Sequence, residues 1–543
     1  MPKAERWTAI HLASLPALLV VLIAFARNQW FFDDEWDSLT RRGLNHPVGL
    51  FAPHNENWTT IPLLIYRGLF AVFGLRTYWP YLLALFALHL LVVHMLWRVM
   101  RSADVPIAFA TAAAVAFGLF GRGSENILFA IQIAYLAPLA AGIALMFAIR
   151  PDPEPKRVTA VTVCAALVLP WSAFSVQMVA MVGLVALARW GWRRAAIVTF
   201  PSAAIYIAWF TWQGHKSLDG GLRKYHGGPG DIPRYVFGGI GATLGAPLHN
   251  VRVGEALFVI VVAVTAVNLR RWWRDYPQVL ALAVGAPIWF ATISQGRGEF
   301  PDPGLSRYVY MAAAMLLPLV TLVAWRLSRQ RAAAVPVLTA AAVLVALGGA
   351  KQLRHDGFLQ TEIKQGLRRQ LIAAVHLKEA GVGVISNNPD YMWDQGLRIE
   401  PLVRLVHRGQ LPTVPVAPYD VARARLGMQL RVSSPHASTV LTGVTASRPA
   451  GVRFVDEPGG CVSARFKSHA ELKVRIDTPG SFSIETPGTG ELDIWVPLDN
   501  DVIAGPRPVT LTANDATVIT TTIPALTLWM PAGAVRLCGI TWS

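Results

Sequence analysis

Trp30-Phe31-Phe32-Asp33-Asp34-Glu35-Trp36-Asp37 follows directly on the first long apolar segment of the chain. Four carboxylates lie within five residues of this stretch, and aromatic side chains flank them. Because aromatic rings favour the interface between water and lipid, the stretch predicts acids held at the surface of a bilayer, where the chain leaves it. A carboxylate in that place can act on a substrate that itself lies partly in lipid.

The apolar composition predicts that most of the chain lies in lipid. Of its 543 residues, 53% are hydrophobic, and the mean hydropathy of +0.41 is well above that of an ordinary soluble domain. Apolar runs of about 20 residues recur, which is the length that crosses a hydrocarbon core of about 30 Å. The first run lacks a small-residue cleavage site and leads into the acidic stretch, so we interpret it as a span and not as a signal peptide.

These runs predict about eleven membrane-spanning helices. They lie at roughly residues 8–26, 79–98, 105–120, 128–149, 158–171, 173–189, 195–212, 252–269, 277–293, 307–326 and 333–350. The fifth and sixth runs are short and meet at Pro170-Trp171, a pattern that fits either a tight hairpin or a re-entrant pair.

Basic residues cluster in alternate turns between these runs, from Lys3 and Arg6 to Arg329 and Arg331. Lys and Arg near the ends of membrane helices mark the cytoplasmic side, so we predict a cytoplasmic N-terminus. An odd number of spans then places the tail on the outer side. Because these turns explain the net charge of +16, the charge does not indicate a nucleic acid as a partner.

The pattern changes after the last apolar run and divides the chain into three parts. Residues 1–350 are predicted to form a transmembrane catalytic domain, in which residues 27–78 make a long first outer loop. Residues 351–425 are predicted to form an extracytoplasmic α/β connector, with an amphipathic helix and a short buried strand at Val382-Gly383-Val384-Ile385. Residues 426–543 alternate apolar and polar side chains between Gly and Pro turns, which is typical of a β-sandwich. The predicted fold is therefore an α-helical polytopic membrane protein with an extracytoplasmic α/β and β-sandwich tail.

Two of the three cysteines, Cys461 and Cys538, lie in the predicted sandwich. In an oxidising compartment they can form a disulfide that joins its first and last parts. The alternative is a pair of buried free thiols. Cys164 lies inside an apolar run.

Polar side chains gather in the loops of the predicted outer side. The first loop holds the acidic stretch and then His54-Asn55-Glu56-Asn57-Trp58. The second holds Gly121-Arg122-Gly123-Ser124-Glu125-Asn126, with Gln132 just inside the next helix. A later loop holds Arg297 and continues to Ser306-Arg307-Tyr308. The outer face thus supplies carboxylates from one loop and guanidinium groups from others.

Carboxylates and guanidinium groups together suit one type of reaction. A lipid-linked phosphosugar carries a charged phosphate at the level of the headgroups, and Arg binds phosphate with two hydrogen bonds. Glycosyl transfer also needs a general base that removes the proton of the acceptor hydroxyl, while cations stabilise the leaving phosphate. No P-loop or other nucleotide fingerprint is present. The predicted partners are therefore a lipid-linked phosphosugar donor, a glycan or lipid-linked acceptor, and membrane lipids.

In these loop motifs the sequence resembles the membrane-embedded glycosyltransferases of the C superfamily (GT-C), which use polyprenyl-phosphate sugars. Their shared mark is an acidic pair in the first outer loop, where this chain has Asp33-Asp34 or Asp34-Glu35. Bacterial members also look like the His54-Asn55-Glu56, Glu125-Asn126 and Ser306-Arg307-Tyr308 segments of this chain. The resemblance covers about residues 1–350. It implies an inverting transferase in the bacterial cytoplasmic membrane that acts in building the cell envelope. The tail looks like the outer sandwich domains of some actinobacterial arabinosyl- and mannosyltransferases.

The resemblance also implies roles for single residues. Asp34 is favoured as the general base because Asp34-Glu35-Trp36 resembles the acid–acid–aromatic order of the family, with Asp33 as the alternative. Glu56 is a further candidate for a catalytic carboxylate. Candidate contacts to the substrate are Glu35, His54, Arg122, Gln132, Arg297, Arg307 and Tyr308.

Structural roles compete with several of these assignments. Glu56 can instead form an ion pair with Arg67, and Arg297 and Arg307 can simply extend from a helix end to the interface. The oxygen and imidazole groups of Asp34, Glu56 and His54 could bind a divalent cation. Their spacing alone does not establish a metal site, so we predict no certain cofactor.

Two other functional classes compete with the transferase. A polysaccharide polymerase or ligase would use a polyprenyl-diphosphate-linked glycan and rely on Arg and His of the outer loops. A transporter of lipid or sugar would place ionisable groups near the middle of the membrane. Because the polar groups gather at one surface and no inverted repeat is visible, the sequence favours the enzyme.

Overall fold

Long helices form most of the chain up to residue 428, and strands form the rest. The structure, a computed structural model, describes residues 3–41, 47–216, 230–296, 302–392, 397–434, 441–449, 452–476, 479–498 and 503–542. Its helices are α1 (Lys3–Phe25), α2 (Pro47–Phe51), α3 (Thr60–Phe73), α4 (Trp79–Ser102), α5 (Ile107–Gly118), α6 (Ser124–Leu128), α7 (Ile133–Ala148), α8 (Pro155–Val168), α9 (Phe174–Trp190), α10 (Trp192–Trp212), α11 (Asp231–Gly245), α12 (Val251–Asp275), α13 (Pro277–Gly296), α14 (Ser306–Ser328), α15 (Ala334–Glu379), α16 (Ile399–His407) and α17 (Pro418–Met428).

The described residues contain eight helices that are long and apolar enough to cross a membrane. A ninth span results if α5 and the Gly121–Leu128 segment, which are bent by 44° at their junction, count as one. The predicted number of about eleven is higher because it included the runs at 158–171 and 173–189. Those runs form α8 and α9, which have 14 and 17 residues and are shorter than the roughly 20 residues that a span needs.

The chain divides into two compact units. The first unit contains Met1–Gln29, Arg42–Val72 and Tyr78–Thr361. The second contains Trp30–Arg41, Phe73–Thr77 and Glu362–Ser543. The boundary between Thr361 and Glu362 lies inside α15, a single helix of 46 residues, which continues past residue 350, where the sequence predicted the membrane domain to end.

Close contacts between backbones bring helices together in the first unit. The clearest case is the crossing of α11 and α12, where a β-carbon on Gly254 would lie 1.9 Å from the carbonyl oxygen of Gly241. Only glycine fits at such a distance.

The N-terminus of α12 is capped by Asn250. The Asn250 side chain accepts a hydrogen bond from the Val253 amide at 3.2 Å, as is typical of helix N-termini.

The second unit contains two antiparallel-rich sheets of six strands each. The strands are β1 (Leu430–Ser433), β2 (Val444–Ala446), β3 (Arg453–Glu457), β4 (Cys461–Phe466), β5 (Ala470–Ile476), β6 (Gly480–Glu485), β7 (Gly490–Pro497), β8 (Ile503–Leu511), β9 (Thr517–Thr521), β10 (Ala525–Met530), β11 (Gly533–Cys538) and β12 (Ile540–Trp542). The strand orders are β1-β9-β6-β11-β4-β3 and β12-β2-β5-β10-β7-β8. Alternate residues of both sheets contribute to one buried apolar core, which includes Phe482, Ile494 and Leu528, as expected for a sandwich.

The predicted strand at residues 382–385 is wrong, because this segment follows α15 as an irregular stretch. The Ile385 and Ser386 amides both donate to the carbonyl of Met428 at 2.9 and 2.8 Å. One carbonyl thus satisfies two amides, and no ladder of a strand forms.

Residues 30–41 enter the second unit through their aromatic side chains. Trp30, Phe31 and Trp36 are buried, and the Trp30 and Trp36 ring centroids lie 5.5 Å apart. The Arg368 guanidinium lies 5.5 Å from the centroid of the Trp30 ring. These rings fill a small aromatic core, and burial of such large side chains contributes strongly to stability.

Cys461 and Cys538 form a disulfide. They lie opposite each other on the adjacent strands β4 and β11, so the bridge joins the start of β4 to the end of β11 within one sheet. Of the two alternatives that the sequence left open, the structure therefore contains the disulfide. Cys164, on α8, is free and exposed.

Candidate functional site

A cavity of about 560 Å³ lies within the first unit. Most of its wall is apolar and comes from helices α7, α9, α10 and α13, including Phe174, Leu184, Phe210 and Ile288. The polar residues of the wall lie in loops or near helix ends: Glu56, Asn57, Asn126, Gln132, Gln177, Gln295 and Arg307. The cavity is therefore amphipathic, and a ligand with a polar head and an apolar chain matches its lining.

The N-terminus of α14 meets the short helix α6 at this cavity. The Ser306 hydroxyl accepts a hydrogen bond from the Glu125 amide at 3.0 Å, and the Arg307 guanidinium lies 3.5 Å from the Glu125 carboxylate. Both charged side chains are about one quarter exposed. Two motifs that are 181 residues apart in sequence thus form one polar corner, in which Glu125 orients Arg307.

The break between α5 and α6 allows this corner to form. A β-carbon on Gly123 would lie 2.6 Å from Cδ2 of Tyr310 and 2.9 Å from its Cβ. Tyr310 is fully buried on α14 and cannot retreat. The glycine therefore lets the chain before α6 lie directly against α14.

A tight turn presents Glu56 to the cavity. His54 and Asn57 exchange two backbone hydrogen bonds of 2.9 Å, and Asn55 between them has a φ of +50°, a conformation that Asn tolerates. The Asn57 side chain accepts a hydrogen bond from the Ala173 amide at 3.0 Å, which ties the turn to the start of α9. These contacts fix the backbone on both sides of Glu56 and so hold this residue in the cavity wall.

The next residue anchors the same turn to α10. The indole rings of Trp58 and Trp209 stack with centroids 5.1 Å apart and an interplanar angle of 3°. The Trp209 Nε1 donates to the carbonyl of Phe51 at 2.8 Å. The turn that presents Glu56 is thus held by contacts with both α9 and α10.

Asn126 and Gln132 form a buried amide pair in the wall. The Asn126 Nδ2 donates to the Gln132 Oε1 at 3.3 Å. The Asn126 side chain is only 1% exposed, and its Oδ1 accepts no hydrogen bond from the described part of the chain. A buried carbonyl oxygen of this kind costs free energy unless a ligand or water donates to it.

Four aromatic side chains form one continuous part of the wall. The Trp289 ring makes edge contacts with Tyr135, Phe174 and Tyr308, at centroid distances of 6.0, 5.2 and 6.2 Å. The Trp289 Nε1 also donates to the Tyr308 carbonyl at 3.2 Å. Interlocked edge-to-face rings resist rearrangement, so this wall is preformed.

The structure brings four of the predicted residues to this cavity, namely Glu56, Gln132, Arg307 and Tyr308. His54 lies at the base of the Glu56 turn. Arg122 is not among the lining residues, since its guanidinium donates to the Gly304 carbonyl at 3.0 Å and borders a separate cavity of about 180 Å³. Arg297 lies outside the described residues.

The acids of the opening stretch belong to the second unit. Asp33 has a φ of +46°, and its carbonyl accepts the Trp36 amide at 3.0 Å. The Glu35 side chain is 0% exposed, and its Oε2 accepts the Phe32 amide at 2.8 Å. Glu35 thus closes the turn that carries Asp33 and Asp34, whose side chains are partly exposed.

Sequence reasoning missed several residues of the wall. The sequence places Asn126 in the second outer loop but assigns it no contact of its own. Gln177 reads as an ordinary polar residue of a helix, although its side chain donates across to the Gly285 carbonyl on α13. Trp289 and Gln295 lie within or next to an apolar run and carry no motif. Their only signal is that each lies near the same ends of the helices as the predicted residues.

Within the part of the chain that the structure describes, no three His, Cys, Asp or Glu side chains lie close enough together to hold a metal ion.

Comparison with known proteins gives one similar structure. The crystal structure of ArnT from Cupriavidus metallidurans bound to undecaprenyl phosphate matches with a TM-score of 0.44 and 16% sequence identity, over 73% of this chain and 84% of that chain. No protein-family model and no curated protein matches the sequence. A similarity of this size does not transfer the role of any residue to this chain.

Proposed function

We propose that this protein is a membrane glycosyltransferase that takes a sugar from a polyprenyl-phosphate donor. The supporting observation is the amphipathic cavity of about 560 Å³, whose wall contains both a carboxylate, Glu56, and a guanidinium group, Arg307. The apolar wall suits the first isoprene units of a polyprenyl chain, and Arg307 suits the phosphate. Glu56 and the amide pair of Asn126 and Gln132 are suited to the hydroxyl groups of the sugar.

The reaction that we propose is an inverting transfer. An acceptor hydroxyl attacks the anomeric carbon of the donor sugar, while the bond between that carbon and the phosphate oxygen breaks. The hydroxyl proton passes to a carboxylate, and polyprenyl phosphate leaves with both electrons of the broken bond. Arg307 stabilises the negative charge that develops on the phosphate. Glu125 keeps the guanidinium in place through its ion pair.

The general base is proposed from the resemblance of the first loop. Asp34 is the favoured residue and Asp33 the alternative, and both are carried on the turn that Glu35 closes. Glu56 is the carboxylate of the cavity itself, and we assign it to donor binding. The amide variants Asp34→Asn, Asp33→Asn and Glu56→Gln separate these roles, because loss of a base lowers turnover while donor binding is retained.

The orientation of the protein in the membrane is inferred from the Lys and Arg residues in alternate turns between its spans. We propose that the N-terminus is cytoplasmic and that transfer takes place on the outer face of the bacterial cytoplasmic membrane, onto a glycan or lipid-linked acceptor of the cell envelope. Cysteine accessibility at Lys3 and at Glu471, measured in intact cells, tests this orientation. Labelling of Lys3→Cys by a membrane-impermeant reagent would contradict it.

Donor binding tests the proposal most directly. The full-length protein in detergent is mixed with decaprenyl phosphate, decaprenyl diphosphate or decaprenol, and complexes are counted by native mass spectrometry. We expect the monophosphate to bind best. Arg307→Ala should weaken its binding by roughly 10-fold or more, which corresponds to the loss of a charge-assisted hydrogen bond of about 1.5–3 kcal/mol.

Arg329→Ala is the matched control, because Arg329 has the same chemistry but is exposed at the opposite end of α14, outside the cavity lining. Equal loss in both variants would remove the assignment of Arg307. Preferred binding of the diphosphate, together with full activity of Asp34→Asn and Asp33→Asn, would favour a polymerase or ligase. Turnover is measured as release of polyprenyl phosphate from pentose- and hexose-charged donors. A parallel assay with EDTA decides whether a divalent cation takes part.

A further inference from the structure

The solvent face of the second sheet carries an exposed tryptophan in its centre. Trp529 lies on β10, which pairs with β5 on one side and β7 on the other. Its side chain is 43% exposed, whereas its neighbours Leu528 and Met530 point into the core and are fully buried. A large indole on the solvent face contributes little to the packing of the core, and what makes this one informative is the set of polar side chains around it.

Carboxylates flank this indole on both neighbouring strands. Trp529 is in register with Glu471 on β5 and with Asp493 on β7. Residues opposite each other on adjacent strands have β-carbons about 4.5–5.5 Å apart. The ring therefore stands between two acidic side chains, with the Lys473 ammonium 3.6 Å from the Glu471 carboxylate.

The same face is concave beside the tryptophan. A pocket of about 970 Å³ is lined there by Glu471, Lys473, Arg475, Thr445, Thr527 and Trp529. All of these residues belong to the second unit, so the pocket is complete within it. It offers a flat apolar surface, surrounded by hydrogen-bond donors and acceptors.

We infer that this face binds an oligosaccharide chain. One side of a sugar ring presents C–H groups, which fit the electron-rich face of an indole, while its edge presents hydroxyl groups. Carboxylates accept hydrogen bonds from such hydroxyls in pairs, and Lys473 donates to ring and hydroxyl oxygens. Lys473 and Arg475 balance the charges of Glu471 and Asp493 on this face, so the site suits an uncharged glycan. The inference goes beyond the proposed transferase reaction and does not depend on it.

Binding of soluble polysaccharides tests the inference. The full-length protein is immobilised in detergent on a biosensor, and mannan, arabinogalactan, dextran and polyphosphate are passed over it. We expect at least one neutral polysaccharide to bind and Trp529→Ala to weaken that binding at least 10-fold. Trp529→Phe should restore most of it, because the aromatic face remains. Glu471→Gln should weaken it less.

Val455→Ala is the matched control, since Val455 is an exposed apolar residue on β3 of the other sheet. It should bind as the wild type does. Thermal unfolding of each variant checks that the sandwich is intact, and Asp493→Asn replaces Trp529→Ala if the latter unfolds. Absence of binding to every neutral polysaccharide, or binding to polyphosphate alone, would overturn the inference. So would unchanged binding in a folded Trp529→Ala.

Discussion

At the scale of the residue, the cavity is built from groups that are each held by a second group. Arg307 is oriented by Glu125, and the Glu56 turn is anchored by the Asn57 side chain on the Ala173 amide. Preorganised groups lose less entropy when a ligand binds. The exception is the Asn126 carbonyl oxygen, which is buried but accepts no hydrogen bond from the described residues.

We expect this oxygen to accept a hydrogen bond from the sugar of the donor. Asn126→Ala should weaken binding of a sugar-charged polyprenyl phosphate by roughly 5- to 10-fold, the value of about one net hydrogen bond. Binding of uncharged decaprenyl phosphate should stay within about 2-fold. Native mass spectrometry with both lipids measures the two effects. An equal loss for both lipids would mean that Asn126 only supports the wall.

At the scale of the element, short breaks and turns position the site more than the long helices do. The Gly121–Gly123 break, the His54–Asn57 turn and the Asp302–Leu305 segment before α14 bring distant motifs together. In the last of these, the Asp302 side chain accepts the Gly304 amide at 2.7 Å and closes a local turn, directly before the helix on which Arg307 lies.

The break before α6 gives a test of this arrangement. Gly123→Ala should lower the stability of the protein by about 1–3 kcal/mol, because the new methyl group overlaps the buried Tyr310 ring, and it should displace Glu125 from Arg307. Thermal unfolding and decaprenyl phosphate binding measure the two consequences. Gly348→Ala is the control, since a β-carbon there meets nothing within 4 Å. Wild-type behaviour of Gly123→Ala would show that the contact is not tight.

The disulfide between β4 and β11 gives a second test at this scale. Its two cysteines are 77 residues apart in sequence, and closing such a loop stabilises a fold by about 2–4 kcal/mol. The double variant Cys461→Ala/Cys538→Ala should therefore unfold at a lower temperature. A reductant should shift the wild type to the same value and leave the double variant unchanged, while Cys164→Ala should match the wild type. A reductant-insensitive wild type would argue against this contribution.

At the scale of the whole molecule, the sequence predicted the class of fold for clear physical reasons, and it singled out four residues that line the candidate cavity. Long apolar runs such as Val251–Asp275 can only be satisfied as helices in lipid, and period-2 runs such as Ala470–Ile476 indicate half-buried strands. The merged helix α15 was not predictable, because its polar second half has the same period as a separate amphipathic helix.

Residues of the cavity wall were predictable where a sequence motif contains a charged side chain. They were not predictable where the fold has to bring together residues that are far apart in the sequence. Arg307 and Glu56 stood out because charged residues beside apolar runs are costly. Trp289 and Gln177 are ordinary residues of helices until the fold brings them to one wall. The place of Arg122 outside the cavity lining was not predictable, because its partner, the Gly304 carbonyl, is a backbone group that leaves no trace in the sequence.

The pH dependence of the sandwich follows from a surface network on the first sheet. Glu457 accepts hydrogen bonds from Ser463 and from Arg536, the latter at 2.8 Å, and these bonds lower the pKa of Glu457 below its usual value of 4.5. A carboxylate with a lowered pKa in the folded state stabilises the fold above its unfolded pKa and loses that contribution as the pH falls through its folded pKa.

Glu457→Gln should therefore lower the unfolding temperature at pH 7, and the difference from the wild type should shrink as the pH is reduced below about 4.5. Thermal unfolding of the full chain between pH 3 and pH 7 measures this. Glu491→Gln, which removes an exposed carboxylate on β7, is the control. A difference that stays constant with pH would contradict the assignment.

The second unit takes its residues from three separate stretches of chain, Trp30–Arg41, Phe73–Thr77 and Glu362–Ser543. The ribosome delivers the first of these stretches more than 300 residues before the last begins. The side chains of Trp30, Phe31 and Trp36 therefore remain without the rest of their unit while the intervening helices are synthesised and inserted into the bilayer. Chains truncated before residue 362 lack the rest of the unit that buries these rings, so we expect them to be more susceptible to proteolysis than the full chain.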